Sequence, residues 1–302
     1  MADKNEQVAI ADLMQRSGVG FGTSGARGLA ACMTDRVCYA YTTAFLQHLE
    51  KQGAIHPGDE VLIGGDLRPS TPRIMAACLR AVSDLGYRAI HGGPLPTPAV
   101  ANLGLRRGIA SLVVTGSHIP DDRNGIKFYR PDGEILKDDE ITIREQQVML
   151  PRTLFDEHGM AQQPFELSPV DGAAYREYLA RYLDFFPPGC LDGTRTLLYA
   201  HSSVAAEPLR EILEGLGAEV TVVGRSETFV PVDTEAIRVE DVALAREWAA
   251  ERDFDLIVSA DGDGDRPLIG DERGEWLRGD VLGALVAHRL ALRDRGHART
   301  GR

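Results

Sequence analysis

The run EVLIGG at residues 60–65 and the run IASLVVT at residues 109–115 are short and apolar. Such runs, bounded by turn residues, predict β-strands. Between them, residues 69–86 begin with a Pro and end with a Gly, which predicts a helix, and residues 87–90 follow as another strand. Strands separated by helices of this length pair in parallel through right-handed crossovers. This part of the chain therefore predicts an α/β fold.

The alternation of strand and helix starts again after a polar, irregular stretch at residues 151–169. The pattern predicts helices at 171–185, 205–216 and 242–251, and strands at 195–200, 218–223 and 255–259. We therefore expect two successive α/β domains with mixed, mostly parallel sheets. Their predicted limits are residues 1–152 and 153–275. Residues 276–302 are predicted to be the incomplete start of a third domain, with one apolar-faced helix.

The composition limits the partners and the compartment. The chain has 45 acidic and 33 basic residues, a net charge of −12, which disfavours nucleic acid and anionic membranes as partners. No secretory signal is visible, and no apolar run approaches the roughly 18 residues that a membrane span needs. The four cysteines form no CxxC pair or metal-ligand spacing, as expected of reduced thiols in a cytoplasmic protein.

The sequence ADGDGDR at residues 260–266 directly follows a predicted strand and predicts a metal site. If Asp261, Asp263 and Asp265 converge at ~5 Å, each pair repels by about 3 kcal/mol at an effective dielectric of ~20. A cation would offset that repulsion, and hard carboxylate oxygens favour Mg²⁺. A solvated acidic turn with splayed side chains is the alternative. An EF-hand loop is excluded, because Arg266 occupies the position that requires Gly and a strand precedes the loop.

The sequence TGSHIP at residues 115–120 lies at the end of the third predicted strand, the edge where α/β folds bind ligands. It exposes Ser117 beside His118, and Lys127 follows in NGIKFY. The surroundings of Ser117 differ from the GxSxG nucleophile elbow of serine hydrolases. Taken alone, the segment also fits an ordinary turn.

The sequence FGTSGARG at residues 21–28 combines three glycines with Thr, Ser and Arg27. Its backbone N–H groups and guanidinium are suited to a phosphate, although a glycine-rich turn without a ligand fits as well. Two further segments, GGDLRPST at residues 64–71 and PTP at residues 96–98, are interpreted as turns or helix starts.

Together and in this order, these segments resemble the α-D-phosphohexomutase family of the phosphomannomutase/phosphoglucomutase kind, over residues 21–280. The resemblance implies that Ser117 is a phosphoserine that passes its phosphoryl group to the substrate. It also implies that Asp261, Asp263 and Asp265 hold Mg²⁺ together with a phosphoserine oxygen.

The resemblance further implies which groups line the active site. Arg27, Lys127 and Arg266 would bind phosphate, and His118 and Lys127 would transfer protons. The reaction implied is the interconversion of hexose 1-phosphates and 6-phosphates through a hexose 1,6-bisphosphate. The run GRSETFVPVDTEAI at residues 224–237 is similar to bacterial members assigned to mannose or glucose phosphates.

Two departures from the family pattern are visible. Ile119 follows His118 where the family commonly has Asn. The sugar-selecting GEMSGH-like loop and the Arg-Ser-Asn phosphate grip are expected beyond Arg302, so the chain is interpreted as truncated, with impaired mutase activity. A catalytically inactive Mg²⁺- or sugar-phosphate-binding remnant and a phosphatase-like remnant remain alternatives.

Overall fold

Strands and helices alternate along residues 5–22 and 25–300, which are described by a computed structural model, with side chains as far as residue 292. The strands are β1 (Asn5–Ala9), β2 (Gly20–Phe21), β3 (Ala26–Leu29), β4 (Glu60–Gly65), β5 (Arg88–Pro94), β6 (Ala110–Val114), β7 (Arg123–Arg130), β8 (Gly133–Glu134), β9 (Gln147–Pro151), β10 (Arg195–Tyr199), β11 (Glu219–Val223), β12 (Leu256–Ala260) and β13 (Pro267–Asp271). The helices are α1 (Ile10–Ser17), α2 (Asp35–Lys51), α3 (Thr71–Asp84), α4 (Thr97–Arg107), α5 (Lys137–Arg144), α6 (Ala173–Phe185), α7 (Ala206–Gly215), α8 (Val239–Glu251) and α9 (Gly279–Thr300).

The first sheet has the strand order β2-β3-β7-β6-β4-β5, and β8 pairs with β7. The predicted mixture of directions is confirmed, since β4 runs parallel to β5 and β6 while β6 and β7 are antiparallel. The expected majority of parallel pairs is wrong for this sheet, because β7 is also antiparallel to β3 and β8. The connection between β6 and β7, residues 115–122, contains no helix and is too short for a parallel crossover.

The second sheet has the order β11-β10-β12-β13. Strand β10 is parallel to β11 and β12, and β13 returns antiparallel to β12. The strands predicted at 195–200, 218–223 and 255–259 are each present to within a residue at either end.

The core lies on both faces of the first sheet. On one face, Phe45 of α2 packs with Ile63 and Phe128. On the other face, Leu62 packs in a cluster that also contains Tyr178 of α6 and residues of α4 and α7. Burial of each such side chain stabilises the fold by about 1.5–3 kcal/mol. Helix α6 thereby connects the first sheet to the helices of the second.

The predicted domain limits stay predictions, with the two larger sheets lying within residues 20–134 and 195–271. A third sheet has two strands, β1 and β9, which pair antiparallel. Trp276, where a third domain is predicted to begin, forms a bridge to Gly270 and packs against the core of the second sheet. The predicted final helix is present as α9, and its apolar residues Val281 and Leu285 are about half exposed. Among the described residues, no helix is both long and apolar enough to cross a membrane.

The topology brings two loops together at the carboxyl ends of parallel strands. We call residues 115–122, which follow β6, the serine loop, and residues 261–266, which follow β12, the acidic loop. Carboxyl ends of parallel strands are where open α/β sheets bind ligands. The two loops touch through a hydrogen bond from Ser117 to Asp261.

Candidate active site

Ser117 lies buried at the tip of the serine loop in a strained backbone conformation. Its φ is +53°, in the left-handed region that residues other than Gly rarely adopt. Its N–H donates to Thr115 Oγ1 at 2.7 Å, and its hydroxyl donates to Asp261 Oδ2 at 2.7 Å. Such strain persists only where the surroundings hold the residue, and it is concentrated at functional sites.

The three aspartates of the acidic loop converge, as the sequence predicted. One carboxylate oxygen of each of Asp261, Asp263 and Asp265 lies within 4.8 Å of the other two. Asp261 and Asp263 are 0% exposed, which rules out a solvated acidic turn. The backbone N–H groups of Asp265 and Arg266 donate to Asp261 Oδ1, both at 3.2 Å, and Gly264 adopts a φ of +69° to close the turn.

Lys127 supplies positive charge to this cluster. Its ammonium donates to Asp263 Oδ2 at 2.8 Å and to Asp265 Oδ2 at 2.6 Å, and the side chain is buried. Thr97, at the start of α4, donates its hydroxyl to Asp263 Oδ2 at 2.5 Å. Lys127 and the aspartates that it contacts are more than 130 residues apart in the sequence. Their contact therefore depends on the tertiary packing of the two parts of the chain that carry the two sheets.

The electrostatic consequences are opposite for two of the aspartates. Burial, reinforced by Asp263 and Asp265, raises the pKa of Asp261 to about 8. Burial also disfavours the Asp263 carboxylate, but Lys127 and Thr97 hold its pKa below the ordinary value. Burial opposes the charge of Lys127 as well, yet Asp263 and Asp265 raise its pKa. The cluster therefore holds more negative charge than one ammonium neutralises.

The residues present fit a divalent cation. Asp263 Oδ1 is buried and accepts no hydrogen bond from the residues that the structure describes, which leaves a free ligand oxygen inside the cluster. All the converging donors are carboxylate or hydroxyl oxygens, which are the ligands of hard ions such as Mg²⁺.

The remaining predicted residues lie around this centre. His118 Nδ1 is 3.3 Å from Ser117 Oγ. Arg27 of β3 is opposite Gly125 of β7, so it shares a face of the sheet with Lys127, two residues further on. Arg266 donates to Glu235 at 2.9 Å, within the segment between β11 and α8. Of the glycine-rich segment 21–28, residues 23 and 24 lie outside the described residues.

Sequence reasoning missed the pair Asp66 and Arg68, which GGDLRPST contributes directly after β4. Both are buried, with Arg68 1% exposed and its Nε 3.1 Å from Asp66 Oδ2. Asp66 Oδ2 also accepts from the Thr115 hydroxyl at 2.8 Å. Two charged residues at the carboxyl end of an apolar strand were the available signal.

We predict that Lys127→Met lowers the melting temperature of the metal-free protein and enlarges the rise that Mg²⁺ produces. Removing one partner of a buried ion pair costs about 3–5 kcal/mol, and a bound cation would restore the missing positive charge. Thermal unfolding in EDTA and in Mg²⁺ measures both effects. The control is Lys137→Met, whose exposed ion pair with Glu140 is worth at most about 1 kcal/mol. Equal behaviour of the two variants would contradict the role given to Lys127.

Comparison with known proteins agrees with the motifs. Residues 18–148 match the family model for phosphoglucomutase/phosphomannomutase, alpha/beta/alpha domain I. A phosphomannomutase of Salmonella muenchen is 41% identical over 280 residues, which cover 93% of this chain and 56% of that protein. A phosphomannomutase of Sinorhizobium fredii is 46% identical over 270 residues, which cover 89% of this chain and 56% of that protein.

The fold is shared as well. The crystal structure of a phosphoglucomutase/phosphomannomutase family protein from Burkholderia thailandensis superposes with a TM-score of 0.69 at 21% identity, over 89% of this chain and 58% of that one. At this level of identity the likeness concerns the fold alone. The chain spans about half the length of the curated relatives that it matches. From its motifs, its sequence relatives and its fold, the chain belongs to the α-D-phosphohexomutase family.

Proposed function

We propose that this chain carries the phosphoryl-transfer centre of a phosphohexomutase, which interconverts hexose 1-phosphates and 6-phosphates through a phosphoserine at Ser117 and a hexose 1,6-bisphosphate. The observation that carries the proposal is the position of Ser117. Its hydroxyl is 2.7 Å from one carboxylate of a converging group of three, two of them buried, beside a buried lysine. Phosphoryl transfer depends mainly on positioning and on neutralising charge, and this arrangement supplies both.

Ser117 acts as the nucleophile and, once phosphorylated, as the donor. When it attacks a bisphosphate, a bond forms between Ser117 Oγ and phosphorus, and the bond from phosphorus to the sugar oxygen breaks. The Ser117 hydroxyl donates to Asp261 Oδ2 at 2.7 Å, and His118 Nδ1, at 3.3 Å from Ser117 Oγ, is placed to accept the Ser117 proton. The leaving sugar oxygen takes a proton, and the reverse transfer regenerates the serine.

The other predicted residues bind and orient. Asp261, Asp263 and Asp265, with an oxygen of the phosphoserine, would hold Mg²⁺, which neutralises charge on the transferred group. Although burial opposes its charge, Asp263 and Asp265 raise the pKa of Lys127, so its ammonium stays charged and serves in this state as a phosphate-binding cation rather than a base. Arg27 shares its sheet face and would bind a substrate phosphate.

Arg266 is held by Glu235, whose side chain is mostly exposed. An exposed ion pair of this kind is weak, so a phosphate can displace Glu235 from Arg266. We propose that Arg266 binds phosphate in this way.

Mannose phosphates are the proposed substrates, with glucose phosphates as the second choice. The two relatives described above, at 41% and 46% identity, are named phosphomannomutases. We also propose that residues 1–152 and 153–275 act as the phosphoserine domain and the metal domain, and that the protein works in the cytoplasm, where its four free cysteines stay reduced.

The proposal predicts that incubation with mannose or glucose 1,6-bisphosphate and Mg²⁺ adds one phosphoryl group to the chain, at Ser117. Intact-mass measurement and phosphopeptide mapping detect it. Subsequent addition of a hexose monophosphate is expected to remove the group and return a bisphosphate.

The results separate the alternatives. Phosphorylation at another residue would refute the assignment of Ser117. Release of the group as inorganic phosphate alone would favour the phosphatase-like alternative. The absence of any labelling would favour an inactive binding remnant.

A further inference from the structure

Arg68 lies beneath the serine loop and uses every donor that it has. A guanidinium carries five N–H groups in a fixed, planar arrangement. In Arg68, Nε donates to Asp66 Oδ2, and the two terminal nitrogens donate to four backbone carbonyls. These carbonyls belong to Ser117 (2.9 Å), Ile119 (2.6 Å), Pro120 (2.7 Å) and Arg123 (3.1 Å). Five donors therefore meet five acceptors, four of them in or next to the loop that carries the nucleophile.

The backbone of the loop lies directly against this guanidinium. A Cβ placed on Gly116 would be 2.6 Å from Arg68 Cζ, so no larger residue fits there without displacing the arginine. Asp66 Oδ2, which pairs with Arg68 Nε, also accepts from the Gly116 N–H at 3.3 Å. The buried pair of Asp66 and Arg68 thus holds both Gly116 and the carbonyl of Ser117. These two contacts restrain the backbone on either side of Ser117 and so maintain its strained φ.

Phe229 connects Arg68 to the acidic loop. It lies in the segment between β11 and α8, and its ring centre is 4.1 Å from Arg68 Cζ, a cation–π contact. A Cβ on Gly262 would be 2.9 Å from the Phe229 ring and 3.1 Å from Ser117 O. The same ring therefore packs against Arg68 and against Gly262, which stands between two of the converging aspartates.

We infer that Arg68 and Phe229 are positioning residues that set the distance between Ser117 Oγ and the carboxylates of the acidic loop. Arg68 fixes the serine loop through four carbonyls. Phe229 ties that arginine to the acidic loop, so the serine loop and the carboxylates keep a fixed separation while this contact is intact. The inference rests on the proposed function and deepens it, because misplacing reacting groups by about 1 Å can cost on the order of 10²-fold in rate.

Phe229→Leu tests the connection with little risk to folding, since Leu keeps an apolar side chain but removes the aromatic face. The single-turnover rate of Ser117 phosphorylation from a hexose 1,6-bisphosphate is expected to fall roughly tenfold to hundredfold. The bisphosphate concentration for half-saturation is expected to stay within about twofold of the wild-type value. Misplacing the nucleophile slows the chemical step but does not remove contacts that bind the bisphosphate. Phe229→Tyr, which keeps the ring, is expected to restore the rate.

Two comparisons make the test specific. Phe186→Leu changes an exposed aromatic residue outside the site and is expected to leave the rate unchanged. Arg68→Lys keeps a charge but has only three donors for five acceptors, so its rate is expected to fall at least as far as that of Phe229→Leu. A wild-type rate in Phe229→Leu, or a fall that Phe229→Tyr shares, would overturn the inference.

Amide hydrogen exchange of residues 115–122 separates failure of this inference from failure of the proposed function. Phe229→Leu is expected to speed exchange in the serine loop, although the substitution lies in a distant part of the sequence, and Phe186→Leu is expected to leave it unchanged. Unchanged exchange in Phe229→Leu overturns the inference whether or not Ser117 becomes phosphorylated. If the wild-type chain is never phosphorylated, the proposed function is refuted. The exchange experiment still tests whether Phe229 couples the serine loop to the acidic loop.

Discussion

Replacing Asp263 with Asn is expected to remove most of the stabilisation that Mg²⁺ gives to the folded protein. Asp263 is fully buried, and its Oδ1 has no hydrogen-bond partner among the described residues, which makes that oxygen the freest ligand of the cluster. The amide has nearly the shape of the carboxylate, so packing and the contact with Thr97 are largely kept, while one of three negative charges is lost. Affinity for a hard cation depends strongly on that charge count.

The size of the effect follows from linkage. At a Mg²⁺ concentration 100 times the dissociation constant, the wild type gains about 2.7 kcal/mol, whereas a variant that binds 100-fold more weakly gains about 0.4 kcal/mol. Thermal unfolding with and without Mg²⁺, together with titration calorimetry, measures this difference. The matched control is Asp271→Asn, at the end of β13 and outside the cluster. Equal Mg²⁺ affinity in the wild type and Asp263→Asn would remove the metal site from this loop.

Replacing Ser117 with Ala is expected to abolish phosphorylation by hexose bisphosphate, with a rate below about one thousandth of the wild type. The variant lacks the oxygen that we propose as the acceptor of the phosphoryl group, and loss of a catalytic nucleophile commonly costs far more than a thousandfold. The fold is expected to persist, because the change removes only the hydrogen bonds of one hydroxyl, to Asp261 and His118, each worth roughly 1 kcal/mol.

The test of this substitution combines intact mass, phosphopeptide mapping and thermal unfolding. Ser83→Ala is a suitable control, since Ser83 lies on α3, outside the site, and its hydroxyl donates to the Leu79 carbonyl of the same helix. Ser83→Ala should be labelled like the wild type. A phosphoryl group found on folded Ser117→Ala would show that another residue is the acceptor.

Some elements escaped sequence reasoning for a physical reason. Helix α2 gave no clear helical period, because most of its residues, including the polar Thr42 and His48, are buried on nearly all sides. Amphipathic periodicity requires an exposed face, which a helix enclosed in the core lacks. The motif NGIKFY was recognised, but its place in the antiparallel strand β7 depends on its neighbours β3 and β6.

The sequence alone determined the parts of this protein that local patterns encode. Apolar runs marked the central strands β4, β6, β10 and β12, and the polar residues directly after them marked Ser117 and the three aspartates, since carboxyl ends of strands form the binding edge of α/β sheets. The alternation of Asp and Gly was sufficient to predict a cation site, because it depends on spacing within a single loop.

Only the tertiary structure decided which distant groups meet. Lys127 contacts Asp263 and Asp265, and Phe229 covers Arg68, because α6 packs between the helices of the two sheets and brings their loops face to face. Such pairings depend on packing across more than a hundred residues, which no local spacing records. The same packing buries the carboxylates and gives the cluster its charge imbalance, since the free energy of an ion depends on its surroundings and not on its place in the chain.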